Sequence, residues 1–280
     1  MPPRRARFFQ HAFGFVALVM ATGFSVAGQA CDSALPASDL IKAGTLVMST
    51  NPTLPPLQYV DSSGALKGMR ITLGTDIADR LCLKPEYVRV DFDAMVPGLA
   101  AGRWDMIDTG IFFTPARVKI MQMIPYEQQA ISISVPKAEA AKFTKIEDLA
   151  GKTVGVEIGG FEEQRARDIA KQLADKDLPA VTVRTFDTFA AAYQALGAGQ
   201  VNAVVSIDGV AKEYADRGAF ARPISGLFPT PVALAFKDRP LAEAVAKVLN
   251  AMKADGSYDK LFEQYGLAPM PGPFAVQGPT

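Results

Sequence analysis

Reactive side chains are scarce in this chain, and their scarcity bounds its chemistry. There is one histidine, His11, and there are two cysteines, Cys31 and Cys82. His11 lies in a leader that reads as removable: Arg4, Arg5 and Arg7, an apolar stretch from Phe13 to Val26, then small residues around Ala27 and Ala30. This is the layout of a secretory signal peptide, and the apolar stretch falls short of the ~20 residues of a membrane-spanning helix. Cleavage near Ala30 leaves no histidine, which excludes Ser-His-Asp and Cys-His nucleophile systems and histidine metal sites. Two thiols without histidine make a poor zinc site, so no metal or cofactor is expected. In an oxidising compartment Cys31 and Cys82 are able to form one disulfide. Alternatively Cys31 is a lipidated first residue, although Gly28-Gln29-Ala30 lacks the leucine such a site carries. Among carboxylates, Glu157, Glu162 and Glu163 stand close along the chain. They are competent general acids, but acids are also favoured at a helix N-terminus, and a solvated helix start is the preferred reading.

The remaining composition is that of an exported globular protein. The chain has 280 residues, 49% of them apolar, enough for one large domain or two medium ones. Cleavage takes three of the 29 basic residues and none of the 29 acidic ones, leaving a net charge of about −3. No basic block points to nucleic acid.

The positioning elements alternate. Thr45–Ser49 is a short buried strand, and Leu73, Ile77 and Leu81 mark a helix face, with Thr72 placed to cap it. Tyr87–Val90 is a strand, Asp93 caps a short helix, and Met106–Asp108 is a strand. The pattern restarts with strand Thr153–Val156, helix Glu162–Ala174, strand Val181–Val183, a helix carrying Phe189, Tyr193 and Leu196, and strand Ala203–Val205. Phe92 opens FDAMVPGLAAGRWDMI and Phe186 opens FDTFAAAYQALGAGQVNAVV, a weak internal repeat of one helix–strand unit. Val232–Phe236 is strand-like. Leu241, Val245, Val248 and Met252 line a long helix stopped by Gly256, and a second helix covers Tyr258–Tyr265. The alternation indicates an α/β architecture with a largely parallel sheet.

Six segments occur in order: AGTLVMSTNPTLPPLQYVDSSGALKG, FDAMVPGLAAGRWDMIDTG, TPAR, IEDLAGKTVGVEIGG, VNAVVSIDGVA and ADGSYDKLFEQYGL. Together they resemble the extracytoplasmic (periplasmic) solute-binding proteins of the polar amino-acid ABC transporter family, over about Leu40 to Leu267. The resemblance implies a type II periplasmic-binding-protein fold, two α/β lobes joined by two hinge strands. Lobe 1 would hold Leu40–Ser134 and Ala233–Leu267, lobe 2 Val135–Val232, and residues 268–280 a loose tail. It further implies a monomer that closes on a small-molecule ligand and delivers it to the membrane permease of an ABC importer.

Residue by residue, Arg117 matches the arginine that grips the ligand carboxylate, a task suited to its forked donors. Thr109 and Gly110 match positions facing the same carboxylate, and Phe92 matches an aromatic wall. Other positions depart from the amino-acid pattern. Phe112 stands for a hydroxyl residue, as do Gly160 and Phe161. Ile207 stands where an aspartate holds the α-ammonium, with Asp208 one residue off. Leu54 replaces an aromatic, Asn51 an acid, and Arg70 and Thr72 two acids. The departures imply a carboxylate-bearing solute, an amino acid or amino-acid derivative, that carries an anionic group for Arg117 but is not a standard basic amino acid, since an α-ammonium buried without an acid is costly. The expected function is transport binding and not catalysis. The alternatives are an exported dehydratase of the same fold, with Glu157, Glu162 or Glu163 as acid, and a ligand-presenting sensor.

Overall fold

A computed structural model describes residues 35–279. The expected signal peptide, its cleavage region and Cys31 lie outside the described residues. Cys82 is disulfide-bonded.

In chain order the elements are β1 (Thr45–Thr50), β2 (Thr53–Leu54), β3 (Gln58–Val60), β4 (Leu66–Lys67), α1 (Met69–Arg80), β5 (Lys84–Arg89), α2 (Met95–Ala100), β6 (Met106–Phe112), α3 (Pro115–Val118) and β7 (Gln122–Pro136). Next come β8 (Thr153–Glu157), α4 (Phe161–Ala174), β9 (Thr182–Phe186), α5 (Phe189–Gly197), β10 (Ala203–Ile207), α6 (Asp208–Asp216), β11 (Phe220–Phe236), α7 (Arg239–Ala254) and α8 (Ser257–Gln264). One eight-stranded sheet has the order β5-β1-β6-β11-β7-β10-β8-β9. Its two wings are mirror lists. The first runs β1, α1, β5, α2, β6, and the second runs β8, α4, β9, α5, β10. The helix–strand units suspected of repeating occupy equivalent places in the two.

Each wing is parallel: β1 pairs with β5 and β6, and β8 pairs with β9 and β10. The middle is antiparallel, because β7 and β11 run the length of the sheet against each other. The expectation of a largely parallel sheet therefore holds for the wings only. The register of the central ribbon shifts repeatedly between Ala221 and Thr230. Bulges of this kind bend a strand pair, and these lie in the stretch of β11 that pairs with Gln129–Val135 of β7.

Burial follows the two-residue period of a strand. Along β1, Leu46 and Met48 join the large apolar cluster on the α1 face, while Val47 joins a second cluster with Trp104, Ile107 and Met123 on the other. The large cluster continues into the second half, where Val156, Ile169, Leu173 and Leu196 are buried. Among the described residues no helix is long and apolar enough to cross a membrane.

Three local readings are corrected. Thr72 does not cap α1, which begins at Met69 after Gly68 at φ +120°. The first helical N–H groups instead meet loop carbonyls, Met69 N on Pro56 O and Arg70 N on Leu57 O. Thr72 Oγ1 donates back to Gly68 O at 3.2 Å. Asp93 makes no cap either. It sits inside a 3₁₀ turn, Phe92–Ala94, and α2 has no side-chain cap. The segment from Ala268 is not loose. Phe274 is buried against Tyr258, its N–H and C=O bond Asn250 at 2.8 Å each, and Gln277 pairs with the backbone of Met123. One aromatic anchor and satisfied backbone groups outweigh the proline- and glycine-rich composition.

Candidate functional site

The segment Thr114-Pro115-Ala116-Arg117 is a capped turn. Thr114 Oγ1 accepts the Arg117 N–H at 3.3 Å, and Pro115 occupies the first helical position, where its missing donor costs nothing. The turn aims Arg117 at the opposite half. Its Nη1 donates to Phe112 O at 3.0 Å and its Nη2 to Gly159 O at 3.3 Å. The guanidinium lies 5.5 Å from the centre of the Phe92 ring. Burial lowers the pKa of Arg117, opposed by the negative field of Glu162.

Arg117, Gly160 and Phe161 line one pocket of about 800 Å³ between the two halves and the central ribbon. The wall also includes Phe113, Gln164, Arg165 and Phe228, none of which the sequence reading singled out. Phe228 has φ +50°, a strained conformation for an aromatic residue. The Arg165 guanidinium lies between the rings of Phe161, at 5.1 Å, and Phe228, at 5.5 Å. Phe112 stacks on Phe161 with ring centres 4.5 Å apart, joining β6 of one half to α4 of the other.

Asn51 is buried and donates through Nδ2 to Glu157 Oε1 at 2.9 Å, a second bond between the halves. Leu54 is buried in the apolar cluster on β2, which packs against α5. Thr109 and Gly110 lie against Gln58 and Arg70 of the same half. Gln58 Nε2 donates to Thr109 Oγ1 at 2.7 Å and to Thr109 O at 3.1 Å. Gly110 has φ +72°, and a Cβ there would fall 2.1 Å from Arg70 Cζ. Ile207 is buried in the second half, and Asp208 is tied to Ser132 Oγ, Gly226 N and, at 3.7 Å, Arg222. Neither lines the pocket that holds Arg117.

The reading of Glu157 and Glu162 as a solvated helix start is overturned. They are 2% and 3% exposed. Glu157 ends β8 and, besides Asn51, accepts the Phe189 N–H at the start of α5. Glu162 sits in the first turn of α4, and its Oε1 has no hydrogen-bond partner. Burial pushes Glu162 up to about 7, and burial with the charge of Glu162 pushes Glu157 well above the carboxylate range. Glu163 is partly exposed and structural, accepting from Gly159 N at 2.8 Å and pairing with Arg167 at 2.6 Å. Among the described residues no cluster of ligating side chains is set to hold a metal ion.

The fold and this inter-half site define a two-lobed solute-binding protein. Residues 46–268 match the model of the bacterial extracellular solute-binding proteins, family 3, and the chain belongs to that family. Among curated relatives, the L-cystine-binding protein TcyJ of Escherichia coli (strain K12) is 27% identical over 91% of this chain and 94% of its own. The histidine-binding periplasmic protein of the same strain is 28% identical over 78% and 86%. Among solved structures, an ancestral arginine-binding protein bound to arginine superposes with a TM-score of 0.72 at 34% identity, over 80% of this chain and 98% of that one. The ancestral amino acid-binding protein AncCDT-1, a precursor of cyclohexadienyl dehydratase, superposes with a TM-score of 0.72 at 31% identity, over 79% and 95%.

Proposed function

We propose that this protein is exported to the periplasm and captures a small carboxylate-bearing solute, an amino acid or a close derivative, for an ABC importer. Lobe 1 (Leu40–Ser134 with Ala233–Leu267) and lobe 2 (Val135–Val232) close on the solute, and the closed monomer is what the permease recognises. The observation that carries this reading is Arg117. Its guanidinium is presented by a capped turn of lobe 1 into the pocket, against the Gly159–Gly160 turn of lobe 2. Two of its five donors are used on carbonyls, and the fork left over suits a planar anion. Phe113, Phe161 and Phe228 give this pocket apolar lining, as such clefts require, with Phe92 near the Arg117 guanidinium and Phe112 stacked on Phe161 behind it. A disulfide at Cys82 fits an oxidising compartment.

The test is a thermal-shift screen of carboxylate-bearing solutes, followed by calorimetry on Arg117→Ala. Losing the charge-assisted contact is expected to weaken binding by about 2–5 kcal/mol with the fold intact. Unchanged affinity would remove the carboxylate assignment.

A second reading, dehydration of a prephenate-like acid, is favoured by one observation. Glu162 is a buried carboxyl beside Arg117, raised to about 7, and so available as a general acid. Binding without turnover is preferred because the relatives reported above are binding proteins. Incubation with prephenate is expected to give no phenylpyruvate absorbance, and its appearance would establish the enzyme.

A further inference from the structure

The pocket between the halves is lined by two arginines, Arg117 and Arg165, and by no acidic residue. Arg117 reaches it from the TPAR turn, and Arg165 from the second turn of α4. The Arg165 guanidinium lies between the rings of Phe161 and Phe228. Rings on two sides hold a flexible side chain in place and add a cation–π attraction. Phe228 supplies its ring from the left-handed backbone region, at φ +50°, and strain of this kind persists where the surroundings demand the side chain. Arg165 Nη2 pairs with Asp168 on the same helix at 2.7 Å, and the Asp168 side chain is 42% exposed. A pair so open to water compensates little of the charge. Arg165 Nε is buried without a hydrogen-bond partner. Arg117, for its part, is bonded only to carbonyls, which carry no charge. Glu157 and Glu162 are buried outside the lining, and Glu163 is committed to Arg167. Two guanidinium groups on one pocket repel each other. A solute with a single carboxylate neutralises only one of them.

We propose that Arg165 is a specificity-determining residue that takes a second anionic group of the solute, so that the ligand is a dicarboxylate with no free ammonium group. The inference deepens the carboxylate reading of Arg117 and rests on it. One carboxylate meets Arg117 of lobe 1 and the other meets Arg165 of lobe 2. A dianion thereby ties the two halves together, where a monocarboxylate engages one of them. The chain between the two charges lies against the phenylalanine rings of the lining. A zwitterion fits poorly, because its ammonium would enter a lining that holds two cations and no acid. A dicarboxylic amino acid whose amine is acylated carries the same charge pattern as a plain dicarboxylate and is admitted with it.

The experiment is calorimetry with solutes matched in length. Succinate, glutarate and adipate are compared with butyrate, pentanoate and hexanoate, which lack the second carboxylate. L-Aspartate and L-glutamate are compared with their N-acetyl forms, and neutral L-amino acids complete the panel. Wild type is expected to bind a dicarboxylate or an N-acetyl form about 30-fold or more tightly than its matched monocarboxylate and its free-amine counterpart. Arg165→Gln is expected to abolish the preference for the second carboxylate and to leave the weak monocarboxylate affinity unchanged. Arg165→Lys, which keeps the charge, is expected to retain part of the preference. Arg117→Ala is expected to weaken every carboxylate that binds. The selective loss separates recognition from a structural role for Arg165, since a damaged fold lowers all affinities together. Equal binding of dicarboxylate and monocarboxylate, tightest binding by a free amino acid, or a preference that survives Arg165→Gln overturns the inference. If Arg117→Ala still weakens the tightest binder, the Arg117 reading stands. No binding across the panel, or affinities that Arg117→Ala leaves unchanged, overturns both.

Discussion

Arg70 is fully buried, and its guanidinium is fully engaged. Nε and Nη2 each donate to Glu127 Oε2 at 3.0 Å, and Nη1 donates to Gln58 Oε1 at 3.2 Å and to Thr109 O. The sequence shows Arg70 only as a departure from an acidic position. Its partner is 57 residues away, and no spacing rule reaches that far. The pair explains two neighbours. Thr109 accepts bonds from Gln58 and Arg70 within the network, and Gly110 must lack a side chain because the guanidinium lies over it. Glu127→Ala would strand a buried guanidinium, and the expected loss of stability is about 3–5 kcal/mol, read from urea unfolding. A loss below 1 kcal/mol would mean that water or Asp108 compensates the charge.

At the scale of the element, short segments aim side chains well when their own chemistry sets the geometry. The TPAR turn is legible for this reason: proline at the first helical position and a threonine cap are local devices. The start of α4 is not. Phe161, Glu162 and Glu163 read as an amphipathic helix beginning in water, but Glu162 is buried and Phe112 of the opposing half stacks on Phe161. This stack joins the two halves. Phe161→Ala is expected to disfavour closure by about 1 kcal/mol beyond lost area, and so to weaken ligand binding several-fold. Calorimetry checks the affinity, and unfolding of the ligand-free protein should change less than binding does. An unaltered dissociation constant would show that the rings contribute nothing to closure.

Over the whole molecule, buried acids set the response to pH. Burial raises Asp108 to about 7, as it does Glu162, and Glu157 is raised as well. A carboxyl whose folded-state pKa exceeds its unfolded value binds more protons when folded. These groups therefore add stability below about pH 4.5, and that stability is lost as pH rises through about 7. Asp255, held near 2 by Ser257 and Arg80, acts in the opposite sense: its contribution is present above about 4 and is lost as pH falls toward 2. The urea midpoint of the ligand-free protein is thus expected to peak near pH 5 and to decline toward pH 7.5. Glu162→Gln should flatten the decline, and a midpoint that rises from pH 5 to 7.5 would contradict the assignment.

By itself the sequence determined the alternation of strands and helices, the membership of β1, α1, α5 and α7 in an apolar core, and the turn that presents Arg117. All of these follow from periodicity and from caps spanning a few residues. Only the tertiary structure decided that β7 and β11 form one antiparallel ribbon through both halves, that Arg70 finds Glu127, and that Glu157 and Glu162 are buried away from water. Burial of a charge depends on what packs over it, and Asn51, which bonds Glu157, stands 106 residues away in sequence.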